Sequence, residues 1–139
     1  MNKIAIGIHF DSLGEAYNFP ENFQDPSFFN IMDRFLEISS RREFRYTIYV
    51  IGKDLENKAN ASQVKKWVEM GHEIGSHSWS HPVDLSLLTK EEIHEEIYKA
   101  HEIITRTTGV APKGFAAPGW AYSDDVYDSL ISLNYLYDA

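Results

Sequence analysis

Two imidazoles four residues apart, in a turn closed by a proline, can both be aimed at one ion. The stretch GHEIGSHSWSHP at residues 71–82 offers this in His77 and His81, directly before Pro82. A carboxylate from elsewhere in the chain, Asp11 in HFDS at residues 9–12, would complete a His/His/Asp set with positions left for water. A set left open in that way suits catalysis better than structure, because the ion can acidify a water and polarise a carbonyl. The plain alternative is that His77 and His81 are polar loop residues bonded to backbone, and an HxxxH pair alone does not decide between the two. With no cysteine in the chain, any metal site must be built from His, Asp, Glu and water.

What must position these residues is an alternation of strands and helices. Residues 3–9 (KIAIGIH) form an isoleucine-rich apolar run and read as a buried strand. Residues 11–24 read as a long loop, the kind that often carries function. Pro26 opens a helix to about Ser39, with Phe28, Phe29, Met32, Phe35 and Leu36 at helical spacing. Residues 46–51 (YTIYVI) are a second strand, residues 61–70 a short helix ended by Gly71, and residues 72–76 a third, very short strand. Thr89 with Glu92 is a capping-box pattern, and Ile93, Ile97, Ala100, Ile103 and Ile104 make the apolar stripe of a helix that Gly109 ends. Residues 113–117 are a fourth strand, residues 123–132 a fourth helix, and residues 135–137 the start of a fifth strand. Such alternation implies parallel βα units with right-handed crossovers, in an α/β sheet or barrel. Ligand sites in these architectures lie at the carboxyl ends of the strands. That rule gathers His9, Asp11, His77, His81 and the segment 117–122 on one face.

Composition narrows the function further. The 139 residues make one domain, 43% hydrophobic and 24% charged, as a folded globular chain should be. The net charge of −8 argues against nucleic-acid partners and anionic membranes, since no basic patch dominates. The Arg41, Arg42 and Arg45 cluster is short and interrupted by Glu43, as in a solvated turn. No apolar run reaches the ~18–20 residues of a membrane span. The first residues enter a strand-like run without a signal-peptide pattern, which points to the cytoplasm.

The motif GHEIGSHSWSHP resembles the second motif of the polysaccharide deacetylases (carbohydrate esterase family 4, the NodB-homology domain), of the form H-[ST]-x-x-H-P. HFDS at residues 9–12 is similar to that family's first motif, T-F-D-D, and GFAAPGWAY at residues 114–122 to its third. The order and spacing of the three agree along the whole chain. The resemblance implies a partial, distorted (β/α) barrel of about five parallel strands with flanking helices, residues 1–139 being the N-terminal two-thirds of the usual fold. It also implies a divalent metal, zinc or a similar ion, on His77 and His81. Asp11 would be the general base, and the backbone N–H of Gly119 the oxyanion donor. The implied reaction is hydrolysis of an N- or O-acyl group on an amino sugar or glycan.

The departures from the pattern carry expectations of their own. Ser12 stands where the family has its second aspartate, a metal ligand, so Asp11 would be drawn onto the metal; Glu15 is a substitute ligand in the same loop. Ala116 stands where the third motif has an arginine, and AAPGW looks closer to the branch of lipid-linked sugar deformylases. A full (β/α)₈ barrel needs roughly 200–250 residues. The chain is therefore a fragment of a longer protein, or a partner copy in a homo-oligomer covers its open sheet edge, or the sheet stays open. The rival to an enzyme is a degenerate domain that binds a glycan or partner chain without turnover; a third reading is hydrolysis of a non-sugar amide.

Remaining residues divide between site and scaffold. Trp120, Pro118 beside it, and Trp79 between the two histidines would contact a sugar ring, core packing being the alternative for each. His9 is either an extra ligand or a strand-end histidine bonded to backbone. Tyr17, Phe19 and Phe23 either line a groove or pack their loop down. His72 is structural, while His94 and His101 belong to a solvated helix stripe, and Asp124 and Asp125 are helix N-terminal charges.

Overall fold

The computed structural model describes residues 4–17, 19–20, 22–23 and 25–139, the side chains of Glu15 and Ala16 apart. Strands β1 (Gly7–Phe10), β2 (Thr47–Val50), β3 (Glu73–Ser76), β4 (Gly114–Phe115) and β5 (Tyr137–Asp138) follow one another across a single sheet in chain order. All four pairings are parallel, with Phe10 beside Val50, Val50 beside Ser76 and Ser76 beside Phe115. The sheet curls into a half-barrel with the helices packed outside it, the expected architecture. The helices are α1 (Leu13–Tyr17), α2 (Met32–Arg42), α3 (Lys58–Glu69), α4 (Lys90–Thr108) and α5 (Asp124–Ser132).

Period-two alternation assigns the two faces of the strands. Phe10, Ile48, Val50 and Ile74 bury themselves under Met32 and Leu36 of α2, Val64 and Trp67 of α3, and Ile103 and Ile104 of α4. A second cluster, Phe115, Leu85, Ile93, Ile97, Val126 and Leu130, lies under α4 and α5. The opposite, concave face carries His9, Tyr49, Glu73 and three glycines, Gly7, Gly75 and Gly114. Tyr49 is buried there, with the Tyr137 hydroxyl, Glu73 and Thr47 as its polar neighbours. Burial pushes the Tyr49 phenol above its ordinary value. The aromatic rings take the space that side chains at Gly75 and Gly114 would need. A Cβ on Gly75 would stand 2.5 Å from Tyr49 Cδ1 and 3.0 Å from the Gly114 carbonyl oxygen. Gly75→Ala is therefore expected to cost about 1–3 kcal/mol by overpacking. Denaturant unfolding should show a lower midpoint at unchanged slope. An unshifted midpoint would mean that the Tyr49 ring is not packed on that glycine.

Several element boundaries differ from the sequence expectation, each for a local reason. The ladder of β1 starts where Thr47 N–H meets the Ile6 carbonyl (3.0 Å), and Ile4 before it is 86% exposed, so the strand is shifted toward Phe10. Residues 3 and 24, the ends of the expected strand and loop, lie outside the described residues. The loop after β1 contains α1, whose Leu13 N–H donates to Asp25 Oδ2 (2.8 Å). After Pro26 the chain forms a π-helical turn (Ser27–Ile31) and then α2, which runs past Ser39 to a left-handed Glu43 (φ 55°). Helix α3 begins three residues before expected because the Asn57 side chain caps it, accepting from Ala59 N–H (2.9 Å). The Thr89/Glu92 capping box is present in both directions. His101 is not solvated: its ring is half-buried, 5.5 Å from that of Tyr135, because α4 packs along the sheet there. Buried His72 accepts from Tyr46 N–H (3.0 Å), a scaffold role.

Candidate metal centre

The carboxyl ends of β1 and β3 bring one carboxylate and two imidazoles together. Asp11 follows the last residue of β1 and His77 the last of β3. Asp11 Oδ1 lies 3.1 Å from His77 Nε2 and 3.6 Å from His81 Nε2. Among the described residues these three form the group of ligand-type side chains close enough to share one ion. His77 is 2% exposed and set in place by its neighbours: its N–H continues the β2–β3 ladder to the Val50 carbonyl (2.9 Å).

The hydrogen bonding of the trio decides what it can hold. His77 Nδ1 sits 2.6 Å from the Ala116 carbonyl oxygen, an acceptor only, so Nδ1 carries the proton and donates it. With a single proton, on Nδ1, the ring presents the lone pair of Nε2 to Asp11 Oδ1, a buried oxygen that finds no hydrogen-bond donor among the described residues. Lone pairs facing one another at that distance need positive charge between them. One imidazolium proton could serve one such contact, but two imidazoles converge on the same oxygen. The donor set therefore fits a divalent cation, with His77 oriented by a backbone carbonyl as metal-ligating histidines usually are. Positive charge at that contact, a proton on His77 Nε2 or an ion in its place, is what holds the Asp11 carboxyl below its ordinary range. Burial, reinforced by His77, lowers the proton affinity of His81, leaving it neutral and free to ligate at pH 7.

The turn that carries both histidines is backbone-strained. Ser78 (φ 63°) and His81 (φ 61°) are both left-handed, a conformation that costs on the order of 1–3 kcal/mol for each non-glycine residue. It is held by the end of β2: Gly52 N–H donates to the Ser78 carbonyl (2.9 Å) and Lys53 N–H to that of Trp79 (3.0 Å). His81 N–H donates to Ser78 Oγ (3.1 Å).

The other expected site residues fall in different places. Gly119 has φ 60°, and a Cβ there would stand 2.7 Å from the Val83 carbonyl oxygen, so the third-motif turn is pressed onto the residue after Pro82. Pro118 is buried beneath it, while Trp120 is 73% exposed with its ring 6.1 Å from that of His9. His9 stands edge-on to His77 at 5.1 Å and is not one of the grouped ligands. Burial, then His77, lowers its proton affinity. Trp79 is half-buried against the core cluster under α2 and α3, which makes it packing rather than an open stacking face. Ser12 is 1% exposed and donates to Asp54 Oδ1 (2.9 Å). The side chain of Glu15 lies outside the described residues.

Sequence reasoning missed Asp54, the Ala116 carbonyl and Glu96. The strand-end rule could have flagged Asp54, since it sits in the turn after β2 on the same face as the ligands. Glu96 is a half-buried acid beside the apolar stripe of α4, which was a weaker signal.

Comparison with known proteins bears on the family and the fold. The polysaccharide deacetylase family profile matches residues 5–137. The uncharacterised protein YlxY of Bacillus subtilis is 37% identical over 70% of this chain and 30% of its own. The peptidoglycan deacetylase of Helicobacter pylori is 30% identical over 76% of this chain and 35% of its own. The chain thus spans about a third of the length of the curated relatives it matches. Two solved structures share the fold. A CE4 family pseudoenzyme from Bacillus anthracis superposes with TM-score 0.72 at 22% identity, over 96% of this chain and 41% of that one. A family 4 acetyl xylan esterase from Clostridium thermocellum, in complex with a cobalt ion, gives 0.70 at 24% identity over 90% and 53%. Among the described residues no helix is long and apolar enough to cross a membrane.

Proposed function

The chain belongs to the polysaccharide deacetylase family, and we propose that it hydrolyses the N-acyl group, acetyl or formyl, of an amino sugar at a divalent metal held by Asp11, His77 and His81. The observation that carries this reading is the convergence of two imidazole nitrogens on one buried carboxylate oxygen with no hydrogen-bond donor. Zinc is the ion this His/His/Asp set suits best, with cobalt an equivalent probe. A divalent ion bound there would supply Lewis acidity toward the acyl carbonyl and toward water.

The remaining tasks fall to the chain's own groups. Asp11 Oδ1 is committed to the imidazoles, whereas among the described residues Oδ2 takes only a long hydrogen bond from Tyr17 (3.4 Å). Oδ2 is thus the oxygen available to accept the proton of an attacking water. The Gly119 N–H is the candidate donor to the developing oxyanion, in a turn packed too closely on Val83 to admit a side chain at Gly119. Trp120, exposed on the rim beside His9, offers an apolar face on which a sugar ring can stack.

The second reading, a glycan-binding domain without turnover, rests on Ser12, whose hydroxyl is spent on Asp54 instead of a metal. Elemental mass spectrometry and product release together separate the two. Near-stoichiometric zinc with acetate or formate freed from N-acylated amino-sugar oligomers is the expected result. Metal without release on either acyl series would favour the binding domain. No metal after zinc or cobalt loading would defeat the metal-hydrolase reading outright.

A further inference from the structure

Helix α4 reaches into the turn that carries both histidines. Glu96 Oε2 accepts from Trp79 N–H (3.1 Å) and Ser80 N–H (2.9 Å), and Oε1 accepts from Ser80 Oγ (2.7 Å). We propose that Glu96 is a positioning residue of the metal centre: its carboxylate fixes the turn between His77 and His81 in the one shape that aims His81 at Asp11. The inference rests on the reading of Asp11, His77 and His81 as metal ligands.

The turn is gripped from two sides. Its carbonyls at Ser78 and Trp79 are held by the end of β2, and its N–H groups at Trp79 and Ser80 by α4. Ser78 and His81 both hold unfavourable left-handed backbone, so the relaxed form of this segment is a different one. Hydrogen bonds to a carboxylate are stronger than those between neutral groups, and Glu96 collects three of them on a helix anchored by buried Ile93 and Ile97. Without it, two successive N–H groups lose their acceptor and the Ser80 hydroxyl its partner. His81, one residue farther on, would then sample other orientations. Two neighbouring acids of α4 are otherwise engaged: Glu92 closes the capping box and Glu95 pairs with Lys99.

The test uses the whole chain with Glu96→Ala and Glu96→Gln, and cobalt(II) as the probe. In metal-free protein, amide exchange at Trp79 and Ser80 should quicken about tenfold or more in Glu96→Ala, relative to amides of β2 and α4. Cobalt affinity should fall about 10–100-fold with an altered visible spectrum, the scale of losing a ligand-supporting residue. Glu96→Gln, which keeps one acceptor oxygen, should recover most of both. Wild-type exchange at those two amides in Glu96→Ala would overturn the proposal, as would wild-type cobalt affinity and spectrum. If the wild type itself bound no cobalt, the metal reading would fail while the exchange data still decided whether Glu96 clamps the turn. If Glu96→Ala did not fold, Glu96→Gln and Ser80→Ala should each show a smaller loss in the same direction, and no loss in either would count against it.

Discussion

Replacing His77 with alanine should empty the metal centre and lower kcat/KM for N-acyl hydrolysis by about 10³-fold or more. The expectation follows from how much converges on one ring. Its Nδ1–H is spent on the Ala116 carbonyl, its Nε2 faces Asp11, and the ring is sealed from solvent. Alanine removes one of three ligands and the contact that holds the Asp11 carboxyl below its ordinary range, so its proton affinity should rise. His81 alone with Asp11 is a pair that exposed surfaces offer by chance. Elemental analysis and steady-state kinetics on folded protein, checked by circular dichroism, are the measurements. A variant that kept both metal and turnover would place the chemistry elsewhere in the chain.

Ser12→Asp should destabilise the metal-free protein by about 2 kcal/mol or more, the order expected when a second carboxyl is packed against a buried one and a pKa must shift by about one to two units. Restoring the residue that the family pattern carries at this position invites the opposite guess, that a missing ligand is returned. The structure gives reason for the loss. Ser12 is buried, and its hydroxyl donates directly to Asp54 Oδ1. A carboxylate placed there would meet another carboxylate, so that one of the two must take up a proton. Exchanging the pair, Ser12→Asp with Asp54→Ser, should recover most of the loss, because it swaps donor and acceptor without adding charge. Chemical denaturation of the single and double variants tests this. If Ser12→Asp kept full stability and bound cobalt more tightly, the introduced carboxylate would have reached the metal centre, and the Asp54 contact would be incidental.

The sequence made the elements and the ligand trio legible for different reasons. Strands and helices were visible because apolar residues repeat at periods of two and 3.6, as in Tyr46, Ile48 and Val50 or Ile93, Ile97 and Ala100. Their boundaries moved where a single side chain, such as Asn57, set the start of a helix. His77, His81 and Asp11 could be gathered because strand ends share a face in parallel α/β sheets. What stayed hidden were partnerships that depend on distance across elements. Glu96 reaches the histidine turn from a helix, Ser12 meets Asp54 from a neighbouring strand end, and a backbone carbonyl at Ala116 has no side-chain signature at all. Trp79 misled for a related reason. Its place between the two histidines in the sequence suggested the site, whereas the turn lays its half-buried indole against the core.

The chain-order arrangement of the sheet bears on how the protein comes together. Each strand pairs with its immediate predecessor, so every pairing among the described strands closes over a single connecting segment. Such closure favours progressive assembly, yet each parallel pairing, such as Gly7 with Thr47, must still close a loop of tens of residues, which slows it. The proposed metal ligands do not share that neighbour-by-neighbour order: Asp11 belongs to the first strand end, and both histidines to the third. They become neighbours only after β1, β2 and β3 have docked in register. A cation would thus arrive as the last participant rather than as a nucleus. Its binding energy would lengthen the lifetime of the assembled sheet and leave the rate of its formation nearly untouched.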